Sequence, residues 1–365
     1  MDDLSRPFFM SYRMPVSPFL FIIFDVIIRL FGTNKRRMKI LITGITGLIG
    51  NYLMRVLLEK GSFQIRGHYF SNRSVEVYTT KGIEMWQADI CDAKAVQDIT
   101  AGCEVVVHTA ARVLDFGTRE EFYSTHYDAT HTLLKDAQKH QVKHFIYISS
   151  VGVASGIDRS EIIPDETTPL VRTGVLYDDA KIDTEKLVID FCKQHKIYYT
   201  IIRPTAVIGE GAVWVTEPLR RLDTPVGLKL IDGGKHPACL LDAENLANGI
   251  YLCITKEIAR NQIYFFMDDW NVDWKSYLND LAAWKNKKVT ASLPFWLVYR
   301  VAAVAEIIFP LLGKRPPFAK KSTKATGRDR TVSTKKARTE LGWTSAVTYA
   351  QSMQRIAAWV RQNGI

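Results

Sequence analysis

Tyr177 and Lys181 are the two residues in this chain whose types and spacing most directly imply chemistry. Tyr-x-x-x-Lys on a helix sets the pair one turn apart on one face. A phenol beside a fixed ammonium can give and take a proton near neutral pH. An unperturbed tyrosine titrates near about 10. Bringing it to about 7 takes roughly three units, or about 4 kcal/mol, of preference for the phenolate. A lysine one turn away, with a positively charged cofactor ring, supplies charge of the right sign. The pair alone is weak, because 15 tyrosines give roughly one such spacing by chance and only Tyr177 has it. Its meaning depends on the elements that position it.

Upstream, residues 39–50 read Lys-Ile-Leu-Ile-Thr-Gly-Ile-Thr-Gly-Leu-Ile-Gly. The apolar run 40–42 predicts a buried strand, and 48–58 keeps a helical apolar face. Gly44, Gly47 and Gly50 lie between them at three-residue spacing. Strand, glycine turn and helix form the setting of a dinucleotide site. The glycines permit a tight turn, close approach of backbone to a pyrophosphate, and close helix packing. The helix N-terminus then presents free N–H groups to the phosphates. An ordinary strand-to-helix turn is the plainer alternative.

The spacing Gly-x-x-Gly-x-x-Gly resembles the short-chain dehydrogenase/reductase superfamily, and further landmarks follow in order. Ala88-Asp89-Ile90 follows a third strand; the resemblance implies that Asp89 meets the adenine. Val105-Val106-Val107-His108-Thr109-Ala110-Ala111 is similar to the fourth strand and the small-residue turn under the cofactor. Phe145-Ile146-Tyr147-Ile148-Ser149-Ser150 resembles the fifth strand, ending in the catalytic serine. Tyr177, Lys181 and then Glu185 follow as in the extended branch, and Arg203-Pro204-Thr205 matches the segment after the sixth strand. The resemblance runs from about residue 38 to the end. It implies catalytic Ser150, Tyr177 and Lys181. Cofactor contacts would come from Gly44, Thr46, Gly47, Leu48, Ile49, Gly50, Asp89, Ile90, Thr109, Ala110, Ala111, Tyr177, Lys181 and Pro204.

In that arrangement Ser150 would hydrogen-bond the substrate oxygen and Tyr177 would deliver the proton. Lys181 would lower the tyrosine pKa and bond the nicotinamide ribose. Alternation of side chains on a strand implies that only one of Ser149 and Ser150 faces the site, and the resemblance favours Ser150. Extended members usually carry an asparagine where His126 stands, so His126 is either a relay or a locally bonded helix residue. His126 and His131 are spaced i,i+5, which is poor metal geometry, and no metal is expected. The end of the second strand, 64–73, carries no acid to bond ribose hydroxyls. Ser71, Asn72 and Arg73 instead suit a 2′-phosphate, so NADP is favoured over NAD.

Length allows one large or two joined domains. Five scattered cysteines without Cys-x-x-Cys spacing fit a reduced compartment, hence the cytoplasm. The net charge of +10 is concentrated in 314–338, read as a loop or extended arm for solvent, an anionic membrane surface or a phosphate-bearing substrate. Nothing reads as a nucleic-acid surface. Residues 16–31 are apolar with an Asp25/Arg29 stripe and precede Lys35-Arg36-Arg37. They suit a helix lying in a membrane interface, although Met38 begins the fold naturally and 1–37 is also readable as no part of the working protein. Residues 293–312 predict a second apolar helix, packed in the core or docked on lipid.

The tail, with Leu293-Pro294, Arg315-Pro316-Pro317 and Leu341-Gly342-Trp343, resembles the 3β-hydroxysteroid dehydrogenase-like branch. The expected architecture is α/β: a doubly wound parallel sheet of Rossmann type with a smaller C-terminal substrate-binding lobe. Its expected parts are the extension 1–37, a nucleotide-binding domain 38–208 with 240–258 folding back onto it, and a lobe 209–365. Strands are expected near 39–43, 64–70, 84–88, 104–108, 144–149 and 198–203. The resemblance implies hydroxyl/ketone interconversion on a hydrophobic substrate, sterol-like or a long-chain β-oxo compound. The partners expected are that substrate and a peripheral membrane surface, with a homodimer left open. Two rivals remain: a nucleotide-sugar epimerase or dehydratase, and a non-catalytic NADP-sensing scaffold.

Overall fold

Seven short strands, most of them rich in Ile, Val, Phe and Tyr, pair into one parallel sheet. The structure, a computed structural model, describes residues 37–365 except 62, 72–74, 114–116, 158–161, 313–315 and 317–318. The apolar segment 16–31 and Arg73 therefore lie outside the described residues. Met38–Ile365 forms one unit.

In chain order the first elements are β1 (Met38–Thr43), α1 (Leu48–Lys60), β2 (Phe63–Tyr69), α2 (Glu76–Thr79), β3 (Glu84–Gln87) and β4 (Val105–His108). There follow α3 (Arg119–Tyr123), α4 (Ala129–Lys139), β5 (His144–Ile148), α5 (Leu176–His195), β6 (Tyr198–Pro204) and β7 (Ala206–Ile208). Then come α6 (Val213–Leu222), β8 (Leu230–Ile231), β9 (Leu240–Asp242), α7 (Ala243–Thr255), β10 (Gln262–Phe266) and α8 (Trp274–Ala283). The last are β11 (Ser292–Leu293), α9 (Phe295–Leu311), α10 (Lys320–Gly327), α11 (Lys335–Leu341) and α12 (Tyr349–Gln362).

The sheet order is β10-β6-β5-β4-β1-β2-β3. The chain reverses direction across the sheet between β1 and β4, the switch point at which open α/β sheets bind ligands. Strands covered on both faces must be apolar throughout, and β4 and β5 are buried at every position. One face is closed by Leu53, Leu57, Leu246, Ile250 and Cys253 of α1 and α7; the other by Leu133, Leu134, Val188 and Cys192 of α4 and α5. A further core joins α6, α8 and α12 through Val215, Leu219, Trp274, Tyr277, Ile356 and Val360.

Two features differ from the sequence reading. A seventh strand, β10, pairs with β6 from Gln262↔Thr200 to Phe266↔Pro204. The basic run, read as a loop or arm, instead forms α10 and most of α11, and α10 packs on α9.

Candidate active site

The glycine turn is built by close contacts. Gly44 has φ +68, and a Cβ there would lie 3.1 Å from the backbone N and Cα of Ala110. A Cβ on Gly50 would lie 2.5 Å from the Gly44 carbonyl oxygen. Gly47 caps α1 with φ −78 and ψ 172, offers no side-chain hydrogen bond, and is followed by no acid in the first turn. The α1 N-terminus is thus open to an anion, with backbone close on both sides. Gly44, Thr46, Gly47, Leu48 and Ile49 line the cavity beside it; Gly50 sits behind the turn and locks α1 against it.

His68, at the end of β2, supports this turn. Its Nδ1 accepts the Gly44 N–H at 3.3 Å and its Nε2 lies 3.1 Å from the Ala88 carbonyl. The ring is therefore neutral with its proton on Nε2, and burial pushes its pKa down to about 4. Thr43 holds the next strand: its Oγ1 accepts the N–H groups of Thr109 and Ala110 at 3.1 and 3.2 Å. Asp89, Ile90, Thr109, Ala110, Ala111 and Pro204 line the same cavity, as does Ser71.

On α5, Tyr177, Lys181 and Glu185 fall on one buried face, as their four-residue spacing dictates. Lys181 donates to the Ile148 carbonyl at 2.7 Å and lies 4.6 Å from the centre of the Tyr147 ring. Burial draws its pKa down to about 7; Glu185 opposes this and Lys321 adds to it. Glu185 also holds Arg203 in a buried ion pair at 2.6 Å. Ser150 Oγ accepts the Gly152 N–H at 3.0 Å, where β5 has ended and a short 3-10 turn begins. The strand stops at Ile148, and both serines border the cavity, but Ser149 is buried while Ser150 is partly exposed, so of the two Ser150 is the more open. Ser149 Oγ is buried with no hydrogen-bond partner among the described residues.

His126 sits in a π-helical turn, Ser124–Asp128, between α3 and α4. Its ring stacks on Phe122 at 6.2 Å and meets Tyr177 edge-on at 5.4 Å. Its Nε2 lies 3.3 Å from the Arg112 carbonyl. Burial, then the Lys181 charge, holds it well below the usual histidine range, so the ring is a neutral wedge behind Tyr177. Away from the cavity, Asp98, Asp136 and His140 bring potential ligand atoms within 4.8 Å of one another. Those oxygens are already engaged: Asp136 accepts the N–H groups of Asp98 and Thr100 at 2.8 and 2.9 Å, and Asp98 pairs with Lys139 at 2.6 Å. The cluster ties a loop to α4.

Sequence reasoning did not place Lys321, Arg330 or Asp178 in the site. The Lys321 ammonium stands 3.8 Å from the centre of the Tyr177 ring. Arg330 donates to Ser155 Oγ at 2.7 Å. Asp178 is buried beside them, and burial raises its pKa against the pull of Arg330 and Lys321. All three line the cavity. The only signal for the two cations was the basic composition of 314–338, which gave no fold.

The cavity measures about 900 Å³. It is lined by the glycine turn, Ser150, Tyr177 and Lys181, and its remaining wall mixes the apolar Trp214, Pro218, Leu228, Leu278, Leu293 and Val298 with the charged Glu217, Arg221, Lys229 and Arg330. A strand–glycine turn–helix at the switch point, with no acid on the helix's first turn, defines a dinucleotide-binding enzyme fold. The model of the NAD dependent epimerase/dehydratase family matches residues 40–264. The chain belongs to that family, as an NAD(P)-dependent oxidoreductase of the extended short-chain type. It is similar to a 4-hydroxy-2-methyl-3-oxo-4-farnesyl-3,4-dihydroquinoline-1-oxide ketoreductase of Stigmatella aurantiaca, 23% identical over 87% of this chain and 96% of the relative. It is also similar to a decarboxylating sterol-4-alpha-carboxylate 3-dehydrogenase of Dictyostelium discoideum, 24% identical over 87% and 99%. Among solved structures, UDP-glucose 4-epimerase of Thermotoga maritima with UDP-glucose superposes with a TM-score of 0.70, covering 90% of this chain and all of that one at 20% identity.

Proposed function

We propose that this protein interconverts a hydroxyl and a ketone on an apolar substrate, sterol-like or a long-chain β-oxo compound, as a member of the 3β-hydroxysteroid dehydrogenase-like branch. One observation carries the reading: Ser150, Tyr177 and Lys181 share a single cavity with the glycine turn, and Trp214, Pro218, Leu228, Leu278, Leu293 and Val298 make much of its remaining wall apolar. The two relatives described above bear names of a ketoreductase and a 3-dehydrogenase, which supports the same class.

The glycine turn, Asp89 and the Thr109–Ala111 turn would hold the dinucleotide. When bound, NAD(P) supplies or accepts the hydride. Ser150 Oγ already accepts the Gly152 N–H, so its own proton is the one available to the substrate oxygen. Tyr177 gives or takes the proton at that oxygen. Lys181, when charged, and Lys321 on the ring face both favour the phenolate. Neutral His126 behind the ring keeps Tyr177 in place and adds no competing charge.

NADP is the favoured cofactor. The end of β2 bears neutral His68, committed to Gly44, rather than an acid, and Ser71 lines the wall there. Trp214, Leu228, Leu278 and Val298 favour an apolar substrate over a sugar nucleotide, while Glu217, Arg221 and Lys229 on the same wall are the polar partners an epimerase reading would call on.

The test is hydride transfer by the full-length protein with NADPH and NADH against sterol, aryl and long-chain oxo compounds. Turnover with an apolar ketone, faster with NADPH, is expected. Tyr177→Phe should bind cofactor normally and lose roughly 100-fold or more in turnover, the range of general acid loss. Undiminished turnover in Tyr177→Phe removes the proposed acid. Tight sugar-nucleotide binding without ketone turnover replaces the reading by the epimerase.

A further inference from the structure

Helix α9 has two unlike faces. Val298, Ala302 and Ala305 are buried toward α10. Positions 296, 297, 300, 301, 304, 307 and 308 are all exposed, and every one except Arg300 is Trp, Leu, Val or Ile. Trp296, Val304 and Ile307 are 60, 54 and 69% exposed, and Leu312 continues the row just past the helix. Residues at these intervals fall on one side of a helix, so the exposed side chains form a continuous stripe. Isolated surface hydrophobics need no explanation, but a stripe running the length of a helix marks an interaction surface. Among the described residues no helix is long and apolar enough to cross a membrane, so an apolar partner would be met lengthwise.

The charges beside the stripe are mainly positive, with Asp232, beside the start of α9, held by the Phe295 N–H at 2.8 Å and 3.7 Å from Arg328. Arg300 lies within it, 5.9 Å from the centre of the Trp296 ring. The only acid of α9, Glu306, is turned inward, where it accepts the Lys320 N–H at 2.7 Å and pairs with its ammonium at 3.3 Å. Lys324 sits 5.7 Å from the Tyr299 ring centre and Arg328 3.4 Å from that of Phe295. A second copy of this chain would present the same cations to the same face, because a two-fold contact is self-complementary. An anionic lipid surface matches both the apolar stripe and the flanking charge. The helix also closes the cavity: Val298, and Leu293 just before it, line the wall.

We propose that α9 lies along an anionic bilayer, with Trp296, Leu297, Val301, Val304, Ile307 and Ile308 among the acyl chains. Arg300, Lys324 and Arg328 sit at the headgroups, and an apolar substrate passes from lipid into the cavity beside Leu293 and Val298. Only the last step rests on the function proposed above.

The test is local to α9 and needs no turnover, so a failure to reduce ketones leaves it unaffected. Full-length protein is mixed with vesicles of phosphatidylcholine carrying about one third phosphatidylserine and brominated acyl chains, and tryptophan quenching is followed. The quenched component is expected in the wild type and expected to vanish in Trp296→Phe. Val304→Asp/Ile308→Asp should abolish Trp296 quenching at a lipid concentration ten times that which saturates the wild type, with cofactor affinity unchanged. Equal quenching in Trp296→Phe, or none of Trp296 in the wild type, overturns the proposal. Equal quenching by pure phosphatidylcholine vesicles overturns the anionic part. A lipid-free dimer that Val304→Asp/Ile308→Asp dissociates would assign the stripe to a second copy instead.

Discussion

The phenol of Tyr177 stands between two lysines that the chain announces very differently. Lys181 is one helical turn away and follows from spacing; Lys321 comes from α10 and is brought to the ring only by the fold. Lys181 is fully buried with a pKa drawn down to about 7, so its charge is partial in neutral solution. Lys321 holds a second positive charge 3.8 Å from the ring centre. A cation over an aromatic face is worth about 0.5–2 kcal/mol, and more for a phenolate, which carries full negative charge. Removing it raises the phenol's pKa. In the oxidation direction the phenolate is the base, so the rate climbs with pH until the phenol is ionised. Lys321→Met is therefore expected to move that climb upward by about one pH unit, while Lys321→Arg keeps it nearly in place. Profiles of kcat/KM against pH for the three proteins measure this, and superimposable curves would deny Lys321 any part in tuning Tyr177.

At the scale of elements, the turn between β1 and α1 makes the sharpest demand on sequence. A methyl on Gly50 would stand 2.5 Å from the Gly44 oxygen and 2.7 Å from the Ile45 Cα, both backbone atoms that cannot rotate away. Gly50→Ala is expected to push α1 off the turn, cost roughly 1–3 kcal/mol, and weaken cofactor binding at least tenfold. Gly61→Asn, at the far end of α1 with φ +72 and open space, should cost less than about 1 kcal/mol, asparagine being among the side chains that tolerate the left-handed region, and leave cofactor binding unchanged. Cofactor titration and denaturant melts of the two variants decide the matter. β1, β4, β5 and β6 were legible as largely apolar runs beside a glycine turn with little freedom in its sequence, whereas β2 and β3, which carry Gln64, Arg66, His68, Glu84 and Gln87, were legible only from their place in the order of landmarks. β10 was not singled out: Ile263-Tyr-Phe-Phe reads equally as core of the lobe, and only its pairing with β6 makes it a sheet strand. Segment 314–338 was opaque for the opposite reason. Its lysines look like solvated charge, and nothing local shows that α9 organises α10 so that Lys321 and Arg330 enter the cavity.

The molecule as a whole carries several histidines as buried neutral rings, and acid should find them. His68, His108 and His144 have pKa values pushed by burial to about 4, 3 and 4, and His126 is also held well below the usual range. His108 lies between Thr43 and Thr130 at 2.7 and 3.0 Å, and His144 bonds Thr200 at 2.8 Å. In the unfolded chain each titrates near about 6.5. Between about 6.5 and 4 the unfolded state therefore binds more protons than the folded one. Stability is full above about 6.5 and falls with pH through that window, by about 1.4 kcal/mol per pH unit for each such proton. Asp268 works against this: burial raises it to about 6, so the folded state binds its proton earlier and gains stability between about 6 and 4. Burial raises Asp178 and Glu166 as well, so four histidines stand against three carboxyls and the net slope should correspond to about one or two protons taken up on unfolding. Denaturant melts at half-unit steps from about pH 7 to 4 measure the slope directly. His144→Gln, whose amide can still bond Thr200, should remove about one proton's worth of it. A stability that stays flat down to pH 4.5 or so would mean that these rings are already open to protons in the folded chain.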